Sequence, residues 1–363
     1  MTEGDDFDEA MGMIASARRP LIVAGRGATD PRSKAAIPDL ARRLQAPVAT
    51  TLKAAGLFYG EAFNLGIFGT LSTPVAVDTI LQSDCIIGFG ASFSRHTTAS
   101  GSYLQGRRVV QVLGDMQENC RRTDAGMLLL GDPALTAQRM VEVLDEAEIP
   151  ASGHADADLQ NRLQQEASQL AMPAAFRAGR DGTVDFFPAL RALERALPKD
   201  RVVVTDLGRF VTSAWKAFPV SAAGDFVYTS HFASIGLGLS EAIGAAHAAG
   251  DRTTVLIAGD GGFLLSGLSE LHTAIRQNLN LVAIICNDGS YGAEHVQFTR
   301  RAMSPENSMI APPDFTAIAR SMGAGATRVY GADGIAAAVR VVAARKGPVL
   351  IELMLDPELV PME

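Results

Sequence analysis

The chain has 363 residues, 47% of them hydrophobic and 20% charged, and its 32 Lys and Arg against 40 Asp and Glu give a formal charge of −8. At about 150 residues per domain, that length allows two domains, each with its own core. The acidic balance, with no Lys/Arg-rich run, excludes nucleic acid as the main partner and disfavours an anionic membrane surface, because both need clustered positive charge.

The first residues carry Glu3, Asp5, Asp6, Asp8 and Glu9, so the basic and apolar regions of a secretory signal are missing. No apolar run approaches the length of a membrane span. Cys85, Cys120 and Cys286 are few, odd in number and widely spaced, and read as reduced thiols of a cytoplasmic protein.

In chain order, Pro20 to Gly25, Pro47 to Thr51, Cys85 to Gly90 and Val109 to Gly114 read as strands, with helical spacing from Ser33 to Leu44 and from Val75 to Leu81. Their continuous hydrophobicity predicts parallel strands covered on both faces. The stretch from Pro150 to Gly182, rich in Ala, Gln and Asp with one amphipathic helix around Leu159 to Leu170, reads as a linker. Strands resume at Val202 to Thr205, Thr254 to Ala258, Leu281 to Cys286 and Val349 to Leu353. The fold class expected is α/β, with two Rossmann-like, doubly wound domains of mainly parallel sheet. They are placed at residues 1–155 and 182–363, with 156–181 between them.

Ligands of open α/β sheets collect at the carboxyl ends of strands. Three of those ends are rich in Gly and Asp: Thr205-Asp206-Leu207-Gly208-Arg209, Ala258-Gly259-Asp260-Gly261-Gly262 and Cys286-Asn287-Asp288-Gly289-Ser290-Tyr291-Gly292. Glycine there lets backbone N–H groups approach a phosphate. Asp260 and Asp288 either cap helices or converge on one hard cation through oxygen ligands. Other motifs are incomplete. Gly25-Arg26-Gly27 and Gly236-Leu237-Gly238 each lack the third glycine of the dinucleotide fingerprint. Walker A, zinc-cluster and nucleophile-elbow patterns are missing.

Gly259-Asp260-Gly261, then Ser269-Glu270-Leu271, then Asn287-Asp288-Gly289-Ser290-Tyr291-Gly292 resembles the metal and diphosphate signature of thiamine diphosphate (ThDP)-dependent enzymes, the acetolactate synthase and 2-oxoacid decarboxylase family. Val203 to Gly208, Ala233-Ser234-Ile235-Gly236-Leu237-Gly238 and Ala242 to Ala245 resemble that family in order and spacing. Arg19 to Gly25 and Gly88 to Phe93 resemble its middle domain.

The resemblance implies Mg²⁺ held by Asp260, Asp288 and the main-chain carbonyl of Ser290. It implies cofactor contacts from Leu207, Gly208, Arg209, Phe210, Ala233, Ser234, Ile235, Gly259, Gly261, Gly262, Tyr291 and Gly292, with Ile235 beneath the cofactor and the Ala233 carbonyl accepting from its 4′-amino group. Two departures stand out. The family's Asn-Asn is Asn287-Asp288 here, and the segment before Ser269-Glu270-Leu271 is one residue longer than usual. Unless a helix start absorbs that residue, Asn287 replaces Asp288 as the ligand. Ala293, Glu294, Val296 and Gln297 fall where family members look into the substrate pocket. Glu294, His231 and His295 are the candidates for proton transfer; the competing readings are an acidic helix start and structural histidines.

The family's cofactor-activating glutamate lies in a pyrimidine-binding domain that precedes the middle domain. Here the middle domain is under way by residue 20, so the glutamate is expected from a second polypeptide, most simply in an α₂β₂ heterotetramer. The expected activity is that of the larger subunit of a split, ThDP- and Mg²⁺-dependent acetolactate synthase-like enzyme. It would decarboxylate a 2-oxoacid and ligate the enamine to a second carbonyl compound. The alternatives are a decarboxylase subunit releasing aldehyde and a non-catalytic ThDP- or nucleotide-binding subunit. The resemblance leaves FAD, ADP or nothing in the first domain, and no FAD signature is present.

Overall fold

The computed structural model describes residues 3–115, 126–177, 179–228 and 231–360, without the side chains of His231 and Ser266; Cys120 lies outside the described residues. The chain divides into two compact units, Met1–Met172 with Ser221–Ala223, and Pro173–Val220 with Gly224–Glu363. Among the described residues, no helix is long and apolar enough to cross a membrane.

The first unit carries β1 (Pro20–Ala24), β2 (Val48–Thr50), β3 (Asn64–Ile67), β4 (Cys85–Phe89), β5 (Arg108–Leu113) and β6 (Gly126–Leu130). They form one parallel sheet in the order β3-β2-β1-β4-β5-β6. This is a doubly wound order, with the strand direction of travel reversing between β1 and β4. Leu21, Ile22, Val23, Ile86 and Ile87 are fully buried, each contributing about 1.5–3 kcal/mol of apolar burial. Helices on the faces start where local chemistry directs. Asp30 caps Pro31–Leu44 by accepting from the N–H groups of Arg32 and Ser33. Asp132 caps Pro133–Glu146 in the same way and also accepts from Arg32 at 2.7 Å, tying the two helix starts together.

The incomplete glycine fingerprint after β1 has a packing explanation. A Cβ on Gly25 would lie 2.3 Å from the carbonyl of Gly90, and one on Gly90, where φ is +58°, would lie 2.4 Å from Gly27. The loops after β1 and β4 touch backbone to backbone, a contact that only glycine permits. The helix Ala157–Ala171 belongs to this unit. Its Glu166 accepts from the N–H of Val75, its Arg162 pairs with Asp78 at 2.9 Å, and Leu159 is buried.

The second unit carries β7 (Arg201–Thr205), β8 (Phe226–Tyr228), β9 (Thr253–Gly259), β10 (Leu281–Asn287), β11 (Gly325–Val329) and β12 (Val349–Met354). Its sheet is again parallel, in the order β11-β12-β10-β9-β7-β8. Val255, Leu256, Ile257, Leu281, Val282 and Ile284 are fully buried along the two central strands. Both sheets are therefore α/β and doubly wound, as their strand pattern predicts. Cys85 and Cys286 are free, buried strand residues, and burial pushes the Cys85 thiol up to about 12.

The start of β7 rests on a buried ion cluster. Arg201 and Lys199 both donate to Oε1 of Glu194 at 2.7 Å, and Arg201 also donates to the carbonyls of Pro198 and Pro219. Burial pushes the Glu194 carboxyl up, but these two cations outweigh it and leave its pKa lowered. A depressed carboxylate pKa adds stability that is present above the unfolded value and lost as pH falls through it. Glu194→Gln should therefore cost about 3–5 kcal/mol at neutral pH. Urea denaturation of the full chain should also show a shallower loss of stability below about pH 5 for the variant than for the parent.

Candidate functional site

In the second sheet the order reverses between β7 and β9, so a crevice is expected at the carboxyl ends of these strands. β7 leads into Asp206, which is 1% exposed. Its carboxylate accepts from the N–H of Leu207 at 2.8 Å and from that of Gly236 at 2.8 Å. Burial nonetheless holds its pKa above the ordinary value. Asp206 thus fastens the segment Ala233 to Gly238 to the end of β7. Its role escaped the sequence reading because one Asp after a strand is an ordinary turn residue; only the packing against Gly238 and Gly262 distinguishes it.

The exit of β9 is built on glycines that have no room for a side chain. A Cβ on Gly259 would meet the Phe210 ring at 3.2 Å, one on Gly261 the Tyr291 ring at 2.8 Å, and one on Gly262 the Asp206 carboxylate at 2.6 Å. After the single turn Asp260–Gly262, the chain makes a π-helical turn, Phe263–Gly267, before the helix Glu270–Arg276. A π-turn holds one more residue than an α-turn. Phe263 anchors the turn, its ring edge-on to that of Phe315 at 5.3 Å. Leu264 and Leu265 are exposed.

At the end of β10 the two candidate ligands separate. Asn287 is buried and donates through Nδ2 to Glu352 at 2.7 Å, while Glu352 accepts from Arg328 at 2.7 Å. Its Oδ1 accepts from the N–H of Gly289, so Asn287 is committed to the sheet. Asp288 accepts from the N–H and hydroxyl of Ser290 at 3.1 and 2.8 Å and faces the Arg209 guanidinium at 3.7 Å. Gly289, at φ +68°, donates to Asp260 Oδ2 at 2.9 Å, linking the β9 and β10 exits. Ser290 is buried and bridges to Met309, and Tyr291 donates its N–H to the Ser308 carbonyl.

The electrostatics follow from this burial. Asp260 is pushed up to about 8, first by desolvation and then by the negative charge of Asp288. Asp288 is also raised by burial, against the opposing pull of Ser290 and Arg209. Two carboxylates that repel each other suit a hard divalent cation, which restores their ionised forms. Among the described residues, no group of three or more His, Cys, Asp and Glu side chains is placed to hold a metal. The rest of a six-oxygen shell would have to come from main-chain carbonyls, water or ligand oxygens. Asp260, Asp288 and the neighbouring glycines fit such a group.

The remaining candidates lie around this junction. Phe232 and Ala233 adopt positive φ, with Phe232 fully exposed, while Ser234 and Ile235 are half-buried on the segment that Asp206 fastens. His231 begins the turn His231–Ala233, and its side chain lies outside the described residues. The helix Gly292–Arg300 starts beside Asp288. On it Ala293 and Val296 are half-buried, Glu294 and Gln297 exposed, and His295 buried with Nε2 3.8 Å from Glu358. Glu294 and His295 thus sit near the carboxylates, but neither hydrogen-bonds to Asp260 or Asp288.

Gly262 is the point where the glycine requirement is sharpest. Gly262→Ala should lower stability by about 1–3 kcal/mol, as overpacking against backbone-bound Asp206 requires. Gly244→Ala, on an open helix face with nothing within 4 Å of the added carbon, should be neutral or stabilising. Urea denaturation of both variants checks the contrast.

Both halves of the chain match known domains. Residues 7–140 match the thiamine pyrophosphate enzyme central domain, and residues 206–353 match the thiamine pyrophosphate enzyme C-terminal TPP binding domain. The acetolactate synthase large subunit of Parasynechococcus marenigrum (strain WH8102) is 29% identical over 88% of this chain and 51% of its own length. The acetolactate synthase isozyme 2 large subunit of Escherichia coli (strain K12) is 24% identical over 97% of this chain and 62% of its own. A probable 2-ketoarginine decarboxylase of Pseudomonas aeruginosa is 24% identical over 94% and 58%. The chain therefore spans between about half and two thirds of the length of these relatives. With both its sheets matched, one to the central domain and the other to the TPP-binding domain, this chain belongs to the thiamine pyrophosphate enzyme family.

Proposed function

We propose that this chain is the larger subunit of an acetolactate synthase-like enzyme, supplying the cation and diphosphate half of a ThDP site. The observation that carries the reading is the pair of mutually repelling carboxylates, buried Asp260 and half-buried Asp288, at adjacent strand ends beside Gly261 and Gly262. In this reading Asp260, Asp288 and the Ser290 carbonyl hold Mg²⁺, and residues Leu207 to Phe210 with Gly259, Gly261 and Gly262 receive the diphosphate. Asp206 holds the Ala233–Gly236 backbone through Gly236, so that the Ala233 carbonyl, Ile235, Tyr291 and Gly292 would contact the cofactor. When bound, the cofactor supplies a thiazolium carbon that takes up the electron pair released by decarboxylation of a 2-oxoacid. Glu294, and His231 or His295, hold or deliver the proton at the reacting substrate oxygen and carbon.

The protonating glutamate for the aminopyrimidine is expected on a second polypeptide carrying a pyrimidine-binding domain, in an α₂β₂ assembly. Exposed Phe232, Leu237, Leu264 and Leu265 support a missing neighbour here, since large apolar side chains gathered on adjoining segments mark contact surfaces. The two segments meet where a Cβ built on Gly262 would lie 3.2 Å from the backbone nitrogen of Gly236. The acetolactate synthase relatives favour ligation to a second carbonyl compound, and the expected setting is cytoplasmic. The decarboxylase relative favours aldehyde release as the second reading.

Co-expression with the adjacent reading frame, followed by native mass spectrometry with ThDP and Mg²⁺, should recover a complex that converts pyruvate to acetolactate. Asp260→Asn in that complex should weaken Mg²⁺-dependent ThDP binding about 100-fold. Recovery of the chain alone, without ThDP, contradicts the reading, and release of aldehyde without ligation favours the decarboxylase.

A further inference from the structure

Arg209 is placed unlike the other residues of its turn. Its side chain is 6% exposed. The guanidinium donates through Nε to the Val360 carbonyl at 2.8 Å and through Nη2 to the carbonyls of Val360 and Pro357. Nη1 is buried without a hydrogen-bond partner and faces Asp288 Oδ2 at 3.7 Å. The pair is enclosed: a Cβ on Gly292 would lie 2.9 Å from Arg209 Cδ and 3.1 Å from Asp288 Oδ2. Asp288, Glu358 and Asp356 are the acidic groups that act on Arg209.

A guanidinium stays charged even when buried. A buried charge with one donor left over is costly unless an anion meets it. Where the family resemblance puts a neutral Asn, this chain has Asp288. Two carboxylates, Asp260 and Asp288, less one guanidinium leave a single negative charge, the same as Asp and Asn alone.

We infer that Arg209 is the matching partner of Asp288: it offsets the additional carboxylate beside the cation site and presents Nη1 to the anionic group that the cation carries. The inference rests on the reading of Asp288 as a cation ligand. It makes Arg209 a residue that divides the binding strength of the site between cation and phosphate. Removing its charge leaves the carboxylates more attractive to a lone divalent cation and less hospitable to a diphosphate. The two effects have opposite signs, which loss of structure alone does not produce.

The test is a double-mutant cycle on the full chain, with Arg209→Gln, Asp288→Asn and the two combined. Cation-free thermal melting, Mn²⁺ binding read from the electron paramagnetic resonance of the free ion, and calorimetric titration with Mg²⁺-pyrophosphate are the readouts. Each single variant should melt below the parent, and the double variant should regain most of the loss, because partners in one charge network do not add. Arg209→Gln should bind Mn²⁺ about tenfold more tightly and pyrophosphate about tenfold more weakly. Should that variant fail to fold, the double variant must still fold, and Arg209→Lys must keep the parent's Mn²⁺ affinity. Simply additive melting losses, or weaker Mn²⁺ binding by Arg209→Gln, would overturn the pairing. Coupled melting with no Mn²⁺ bound by any form would keep the pair and remove the cation-site reading. Mn²⁺ binding with additive melting would do the reverse.

Discussion

Asp206 and Asp260 are buried and Asp288 half-buried at the ends of β7, β9 and β10, and a carboxylate taken out of water costs several kcal/mol unless donors or opposite charge meet it. Each is met differently. Asp206 takes backbone N–H groups from Leu207 and Gly236, which turns an electrostatic need into a structural tie between two loops. Asp288 has Ser290 and the Arg209 guanidinium. Asp260 has the N–H of Gly289 and the repulsion of Asp288, and is the most strongly shifted of the three. The arrangement is therefore incomplete in positive charge at one place, and that place is where a divalent cation fits.

The glycines around these carboxylates follow from the same constraint. Gly262 must lie against the Asp206 carboxylate and Gly261 against the Tyr291 ring, so neither tolerates a Cβ without displacing a residue that the charges hold in place. The π-helical turn Phe263–Gly267 serves the same end. Its π geometry holds one more residue than an α-turn while Phe263 at its start and Leu271 beyond its end remain buried. Asn287 is held in the sheet by Glu352, itself paired with Arg328, while Gly289 links the exits of β9 and β10 through Asp260.

Much of the fold was legible in the residue pattern. The eight strands read from continuous apolar runs are the eight interior strands of the two sheets, covered on both faces. The strands missed are β3, β6, β8 and β11, the four sheet edges. Of their residues only Leu65, Leu129, Ala326 and Val329 are buried, and the apolar runs Met127 to Leu130 and Phe226 to Tyr228 are too short for periodicity alone to mark them as strands. The helix Ala157–Ala171 looked like linker because Leu159 is its one buried residue; it packs with Ala76 and Ile80 through Leu159 and Leu163, and with Val75 and Asp78 through polar contacts. At the site, the strand-end glycines and aspartates were visible as a motif. The tie from Asp206 to Gly236 and the enclosure of Arg209 by Gly292 were not, because both join residues far apart in the chain.

Hydrogen–deuterium exchange of the chain with and without saturating ThDP and Mg²⁺ tests the central claim most directly. The account predicts slower exchange in peptides covering Asp206 to Phe210, Gly259 to Gly267 and Asn287 to Gly292, dependent on both the metal and the diphosphate, with the loops after β1 and β4 unchanged. Unchanged exchange at all three strand ends, or protection confined to the first unit, would contradict it.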